Sequence, residues 1–229
     1  MKKLFLSAFV TLLFVSAIGQ NISKVTLGET GNLNAVTFDL DENVVVNLTQ
    51  EGGIDTWGVD IYKGRYDNPL SKLEAYTGRV EYYKDNDNEA FRGKIKYIGK
   101  TLITYYASYD DETHIGKIKS IGKINLDYHP KYENEAYIGR LKSAGALTFS
   151  YYPAFGKDPN TGKLKGVGNT NITYYGAFDD KEFKGKIKSI GHVSYTYYGS
   201  SETNKGLRGR IKSGSQIQPV NGIKFYIKM

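Results

Sequence analysis

From Ser23 onward, apolar and polar residues alternate in short runs broken by glycine, asparagine and acidic clusters. Period-two alternation bounded by turn residues is the signature of half-buried strands. Ser23–Leu27, Ala35–Leu40, Val44–Thr49 and Thr56–Tyr62 read as four strands of a small β region. Gly28-Glu29-Thr30-Gly31, Asp41-Glu42-Asn43 and Glu51-Gly52-Gly53 are their turns. Asp39, Asp41 and Asn43 have the spacing that opens some calcium loops. The glycine and distal glutamate that complete such a loop do not follow, so turn chemistry is the reading.

Beyond this region the alternation acquires a second, longer period. GKIKYIG begins at Gly93, GKIKSIG at Gly116, GRLKSAG at Gly139, GKLKGVG at Gly162, GKIKSIG at Gly185 and GRIKSGS at Gly209. The first glycines are 23, 23, 23, 23 and 24 residues apart. A fixed period of this size marks an array of stacked supersecondary units. Each copy reads as two strands, in the first case Phe91 to Tyr97 and Thr101 to Ala107, followed by an acidic outer loop, Tyr109 to Glu112. Residues 70–92 read as a degenerate first copy, in which Lys72-Leu73-Glu74 replaces Lys-Ile-Lys and Tyr82-Tyr83 stands for the later tyrosine pairs. Atypical end copies suit the caps of an array.

The side chains set a register in which Ile95 and Ile103 share an apolar face and Lys94 and Lys96 share the other. This demands a three-residue turn through Ile98-Gly99-Lys100, since a two-residue turn would aim the lysines at the core. Gly93 then lies opposite Tyr105, with the tyrosine ring across its bare backbone. The expected fold is all-β: an elongated, twisted antiparallel meander of 23-residue two-stranded repeats over residues 70–215, preceded by an acidic β region over 20–69. Residues 216–229, with the Asn221-Gly222 turn and an alternating run from Ile223 to Lys228, form a C-terminal capping hairpin or strand. The small β region is too short to cover a dozen strands. The apolar face must therefore curl on itself, stay half exposed through tyrosine hydroxyls, or meet a partner.

Residues 1–19 read differently. Lys2 and Lys3 precede an apolar run from Leu4 to Val15, and Ala17-Ile18-Gly19 supplies small residues before Gln20, which predicts a cleaved signal peptide. The run is shorter than the ~20 residues of a membrane-spanning helix, and no transmembrane segment is expected after cleavage. The 229-residue chain has no cysteine, hence neither disulfides nor a lipoprotein anchor. The expected address is periplasmic or extracellular, and the stability must come from burial and hydrogen bonding.

Charge divides along the chain. Residues 20–92 carry 7 basic and 13 acidic side chains, residues 93–229 carry 22 and 11. A basic array favours anionic partners, or is a solvated face in contact with the acidic half. The balance of 20 tyrosines to 10 phenylalanines is unusual, and suits strand positions where a ring packs and a hydroxyl stays polar.

Phe91-Arg92-Gly93-Lys94-Ile95, Tyr137-Ile138-Gly139-Arg140-Leu141 and Phe183-Lys184-Gly185-Lys186-Ile187 share an aromatic-x-Gly-x-apolar opening. With the 23-residue period and two strands per copy, this resembles MORN repeats. The resemblance implies elongated antiparallel sheets that act as scaffolds for proteins or phospholipid head groups, and implies binding rather than catalysis. As a whole the chain also resembles exported proteins of flavobacterial type.

Catalytic signatures do not emerge. His114, His129 and His192 fall at three different repeat positions, and neither a nucleophile elbow nor a phosphate loop is present. Paired carboxylates can serve glycoside hydrolysis, but serial acidic turns of a repeat serve to keep loops solvated. No enzyme activity, cofactor or metal is expected. The candidate ligand-binding face is a ladder of Lys94, Lys96, Lys117, Lys119, Arg140, Lys142, Lys163, Lys165, Lys186, Lys188, Arg210 and Lys212 with Tyr106, Tyr152, Tyr175 and Tyr198. One cationic pair every second strand, ~10 Å apart, would suit an anionic glycan or a layer of lipid head groups. The alternative is that these lysines only keep sheets from sticking together. Nucleic acid is not an expected partner of an exported chain. An outer-membrane barrel would need strands of roughly 9–11 residues, longer than the runs here. The reading is thus an exported, non-enzymatic β-repeat protein of the cell envelope, a binding or scaffold module. The alternatives are a module for anionic glycan or lipid head groups and a purely structural surface protein.

Overall fold

A computed structural model describes residues 21–62, 72–155 and 158–229. The predicted signal peptide and the boundary near residue 70 lie outside the described residues. Four strands open the chain: β1 (Asn21–Gly28), β2 (Leu33–Asp39), β3 (Val44–Leu48) and β4 (Ile54–Val59). They form an antiparallel meander. Glu42 and Asn43, in the short helical turn Asp41–Asn43, sit at φ 57° and 58°. An asparagine tolerates this left-handed backbone because its short polar side chain bonds locally. The Asp39–Asn43 segment is therefore a tight turn, as its composition predicts.

The array follows as one open antiparallel sheet of eleven strands. It starts at β5 (Val80–Tyr82) and continues as hairpins: β6 (Ile95–Ile98) with β7 (Thr101–Tyr105), β8 (Ile118–Ile121) with β9 (Ile124–Tyr128), β10 (Leu141–Ala144) with β11 (Leu147–Tyr151), β12 (Leu164–Val167) with β13 (Thr170–Tyr174), and β14 (Ile187–Ile190) with β15 (Val193–Ser194). Of the degenerate first copy, only the second half joins this sheet. Glu74, in its first half, instead bridges to Val59 at the end of β4. A separate pair, β16 (Thr196–Tyr197) and β17 (Ile211–Ser213), ends the array.

The hairpin turns correct the expected register. Ile98 pairs with Thr101, Ile121 with Ile124, Ala144 with Leu147, Val167 with Thr170 and Ile190 with Val193, so each turn has two residues, not three. Glycine takes the first turn position with positive φ, 59° at Gly99, as a two-residue loop that follows strand twist requires. The lysines nevertheless escape the core, because strict alternation fails at a β-bulge in every copy. Between Thr104↔Ser120 and Tyr105↔Ile118 the register shifts by one residue, and Lys119 is the extra one. The same shift recurs at Tyr82, Leu141, Tyr151, Tyr174 and Tyr197. A bulge inserts one unpaired residue and bends the strand. Here it lets Ile118 and Ile121, three residues apart, both bury fully.

The end of the chain turns back. β18 (Ile217–Val220) and β19 (Ile223–Lys228) form the hairpin that Asn221-Gly222 predicts, with φ of 51° and 80° at the turn. This hairpin does not extend the array. β19 pairs parallel with β1, so the N-terminal sheet has six strands in the order β18-β19-β1-β2-β3-β4. That sheet answers the question of the apolar face. Val25, Leu27, Phe38, Val46, Leu48, Phe225 and Ile227 belong to one hydrophobic cluster with Ile103, Ile118, Ile121, Leu141, Leu164, Ile172 and Ile187 of the array. The array hairpin strands are only two to five residues long, shorter than the seven expected, so six strands give the core they need.

Candidate functional site

Each bulge leaves a backbone N–H and C=O outside the strand ladder, and buried groups of this kind need partners. At four of the six bulges the N–H is taken by two loops of the N-terminal sheet. Ile118 N donates to Gly52 O at 3.1 Å, Leu141 N to Gln50 O at 2.7 Å, Leu164 N to Gly31 O at 3.1 Å and Ile187 N to Glu29 O at 3.0 Å. The carbonyls are taken by the first tyrosine of each pair. Tyr105 donates to Ile95 O at 3.0 Å, Tyr128 to Ile118 O at 2.8 Å, Tyr151 to Leu141 O at 2.9 Å and Tyr197 to Ile187 O at 2.9 Å, and Tyr174 does the same to Leu164 O. Phenylalanine could fill these sites but could not satisfy the carbonyl. Burial pushes all five of these tyrosine pKa values up.

The first cation of the first five motifs is also engaged within the fold. Lys94 Nζ donates to Gly116 O at 2.5 Å, Lys163 to Gly185 O at 2.9 Å and Lys186 to Gly209 O at 2.6 Å. Lys117 and Arg140 make the equivalent bond to the carbonyls of Gly139 and Gly162. Each lies over the first tyrosine ring of its own copy, 4.8–5.6 Å from the centroid. Lys186 also pairs with Glu29 at 2.7 Å. These five cations staple each copy to the next. Burial lowers the pKa values of Lys94, Lys117 and Lys163. The motif glycine accepts this bond at positive φ, 72° at Gly116. It is not roofed by a tyrosine as expected: a Cβ on Gly93 would meet nothing within 4 Å. The tyrosine rings cover glycines of the other sheet, Tyr128 on Gly52 and Tyr174 on Gly31.

The second cation of each motif is the bulge residue and faces outward. Lys96 lies 5.1 Å over Tyr83, Lys119 5.1 Å over Tyr106, Lys165 5.8 Å over Tyr152, Lys188 5.5 Å over Tyr175 and Lys212 5.7 Å over Tyr198. Lys142 meets His129 at the tyrosine position and pairs instead with Glu133 at 2.9 Å. Lys119, Lys165, Lys188 and Lys212 are exposed, as is Arg210 at the array's end. The tyrosines beneath are half-buried. Tyr106 donates to Leu126 O at 2.8 Å, Tyr152 to Ile172 O at 3.2 Å and Tyr175 to Tyr195 O at 2.8 Å. The predicted ladder thus separates into an inner set of staples and an outer row of ammonium groups.

A second repeating feature lies in the outer loops, and the sequence analysis did not single it out. Tyr109, Tyr132, Phe155 and Phe178 are 85, 82, 84 and 107% exposed. They are 23 residues apart and fall at the same position of four successive copies. Closed turns hold three of them: Asp110 N donates to Ala107 O, Glu133 N to Pro130 O and Asp179 N to Gly176 O at 3.1–3.3 Å. Loop-to-loop bonds add support, since Asn134 Oδ1 accepts from Ala154 N at 2.8 Å and Asp180 Oδ2 from Ser200 N at 2.7 Å. The 23-residue spacing alone carried the signal for these rings.

The histidines stay apart. His114 sits between Asp111 and Asp127, and His129 contacts Glu133. Among the described residues no group of three His, Cys, Asp or Glu side chains is placed to hold a metal, and no helix is long and apolar enough to cross a membrane. In comparisons with known proteins, no family model, curated protein or solved structure matches the chain.

Proposed function

We propose that this chain is an exported, non-enzymatic β-repeat protein of the cell envelope that serves as a binding or scaffold module. One observation carries the reading. The array is buried on one face by the N-terminal sheet, and what it leaves open repeats once per copy. Evenly repeated surface chemistry on a rigid sheet fits an extended or periodic partner. The partial resemblance to MORN repeats points the same way. The test is equilibrium binding of the chain from Gln20 to isolated envelope polysaccharide and to envelope lipid vesicles. Saturable binding to one of them is expected, and binding to neither would leave a purely structural surface protein. N-terminal sequencing of the protein recovered from its cells should begin at Gln20; a start at Met1 would refute export by cleavage.

The outer ammonium row favours a second reading, a module for anionic glycan or lipid head groups. Lys96, Lys119, Lys165, Lys188 and Lys212 each stand over a ring, where cation–π contact holds the side chain in place. Binding of this kind falls steeply as salt is raised. Salt-independent binding would exclude it.

A further inference from the structure

The repeating residues of the array divide by whether the fold uses them. Motif glycines set turns, inner cations staple copies, tyrosine hydroxyls close bulges, and outer lysines lie on rings. Tyr109, Tyr132, Phe155 and Phe178 recur as regularly, yet at 82–107% exposure they contribute little to the core. Folding explains the first group and leaves the second to be explained.

We propose that these four rings are a binding site for an uncharged, extended polysaccharide, each ring stacking on the face of a sugar. The proposal rests on the binding-module reading above and names its ligand. Three observations select this ligand. First, each copy adds two strands, so successive rings stand ~10 Å apart at the usual strand spacing. That is about the length of two pyranose rings, so an extended β-linked chain offers the same sugar face to each aromatic in turn. The C–H groups of a sugar face are weakly positive and meet the negative face of an aromatic ring.

Second, the flanks of three of the four rings are acidic. Asp110, Asp111 and Glu112 follow Tyr109, Glu133 and Glu135 follow Tyr132, and Asp179, Asp180 and Glu182 follow Phe178. Such flanks repel an anionic polymer or membrane; their carboxylates largely accept hydrogen bonds within the fold, Asp110 from Ala107 N, Asp179 from Gly176 N and Glu133 from Lys142, so the ring faces make the sugar contact. Third, polar side chains follow each ring along its loop, whereas the interface core of a protein partner calls for contiguous apolar residues. Closed turns hold the loops of Tyr109, Tyr132 and Phe178 before binding, so less ordering entropy is lost at these three rings.

The experiment is retention of the chain from Gln20 on insoluble cellulose and in gels cast with soluble uncharged β-glucan. Alginate gels and phosphatidylglycerol-containing vesicles are the charged probes. The wild type should be retained on the uncharged glycan with little effect of salt. Phe155→Ala should weaken retention by about two- to tenfold, the scale of one stacked ring. The quadruple variant Y109A/Y132A/F155A/F178A should abolish it while keeping the wild-type unfolding midpoint. Tyr109→Phe with Tyr132→Phe should retain it. Replacing Lys119, Lys165, Lys188 and Lys212 by alanine should leave it unchanged. Unchanged retention of the quadruple variant would overturn the proposal. Binding only to alginate or anionic vesicles, lost in the lysine variant, would overturn it and leave the binding-module reading intact. Binding to none of the probes by the wild type would count against both.

Discussion

Replacing Gly52 by alanine should destabilise the protein more than the same replacement at Gly222, although both glycines lie in the left-handed region, at φ 84° and 80°. Each variant loses ~1–2 kcal/mol to the left-handed conformation of a residue with a Cβ. At Gly222 the new methyl meets nothing within 4 Å. At Gly52 it would lie 2.5 Å from the Tyr128 hydroxyl and 2.6 Å from its ring. Tyr128 is fully buried and donates to Ile118 O, while Gly52 O accepts from Ile118 N. The ring cannot retreat without opening the bulge, and overpacking of this kind costs about 1–3 kcal/mol. Urea unfolding reads the difference. With a slope of about 1–3 kcal/mol per molar, the Gly52→Ala midpoint should fall roughly 1 M further than that of Gly222→Ala. Combining Gly52→Ala with Tyr128→Leu should cost less than the sum of the two, since the shared clash is removed. Equal losses at Gly52 and Gly222, or strict additivity with Tyr128→Leu, would refute the docking of this loop onto the bulges.

Other consequences follow from the same contacts. Lys186→Met should cost about 1–3 kcal/mol by urea unfolding, because a buried carbonyl and Glu29 lose their partner; Lys119→Ala, at an exposed position, should change stability by about 0.5 kcal/mol or less. Stability should fall above pH 10, followed by circular dichroism with tyrosinate absorbance. The unfolded chain releases tyrosine protons from about pH 10, whereas burial holds Tyr106 and Tyr195 up to about 12 and raises the bulge tyrosines too, so stability present below pH 10 is lost as pH climbs through the folded values. The buried Lys94, Lys117 and Lys163 act with the opposite sign, adding stability as pH rises toward 10.5, but are outnumbered; an unfolding midpoint constant from pH 9 to 12 would contradict this balance. Deleting residues 216–229 removes β18 and the parallel partner of β1 and uncovers part of the shared core, so the truncated chain should lose its cooperative thermal transition; an unchanged transition would contradict the closure of the N-terminal sheet.

Much of this architecture is legible in local pattern. The four N-terminal strands, the hairpin at Asn221-Gly222 and the 23-residue array follow from alternation, turn residues and spacing. The register was lost at one point, the assumption of unbroken period two. Ile118-Lys119-Ser120-Ile121 places apolar residues three apart within a four-residue strand, and both are buried. That spacing is itself the sign of a bulge. Once the bulge is admitted, the two-residue turn no longer conflicts with outward lysines. The position of β19 was beyond local reasoning. Its parallel pairing with β1 joins residues some 200 apart, and an alternating run does not say which edge it will find. The candidate lysines were visible as a ladder, but their division depended on Gly116, Gly139 and their equivalents presenting carbonyls one copy away. Strand parity holds no such information. The loop aromatics were as regular as the glycines, yet they stand outside any strand, where alternation has nothing to say.

The most direct test of the account observes the rings themselves. Tyrosine- and phenylalanine-selective NMR of the chain from Gln20, titrated with an uncharged β-linked oligosaccharide, reads each aromatic separately. The account predicts saturable shifts at Tyr109, Tyr132, Phe155 and Phe178, with Tyr106, Tyr152, Tyr175 and Tyr198 unmoved beneath their lysines. Shifts confined to the latter four, or no shift at any ring, would contradict it.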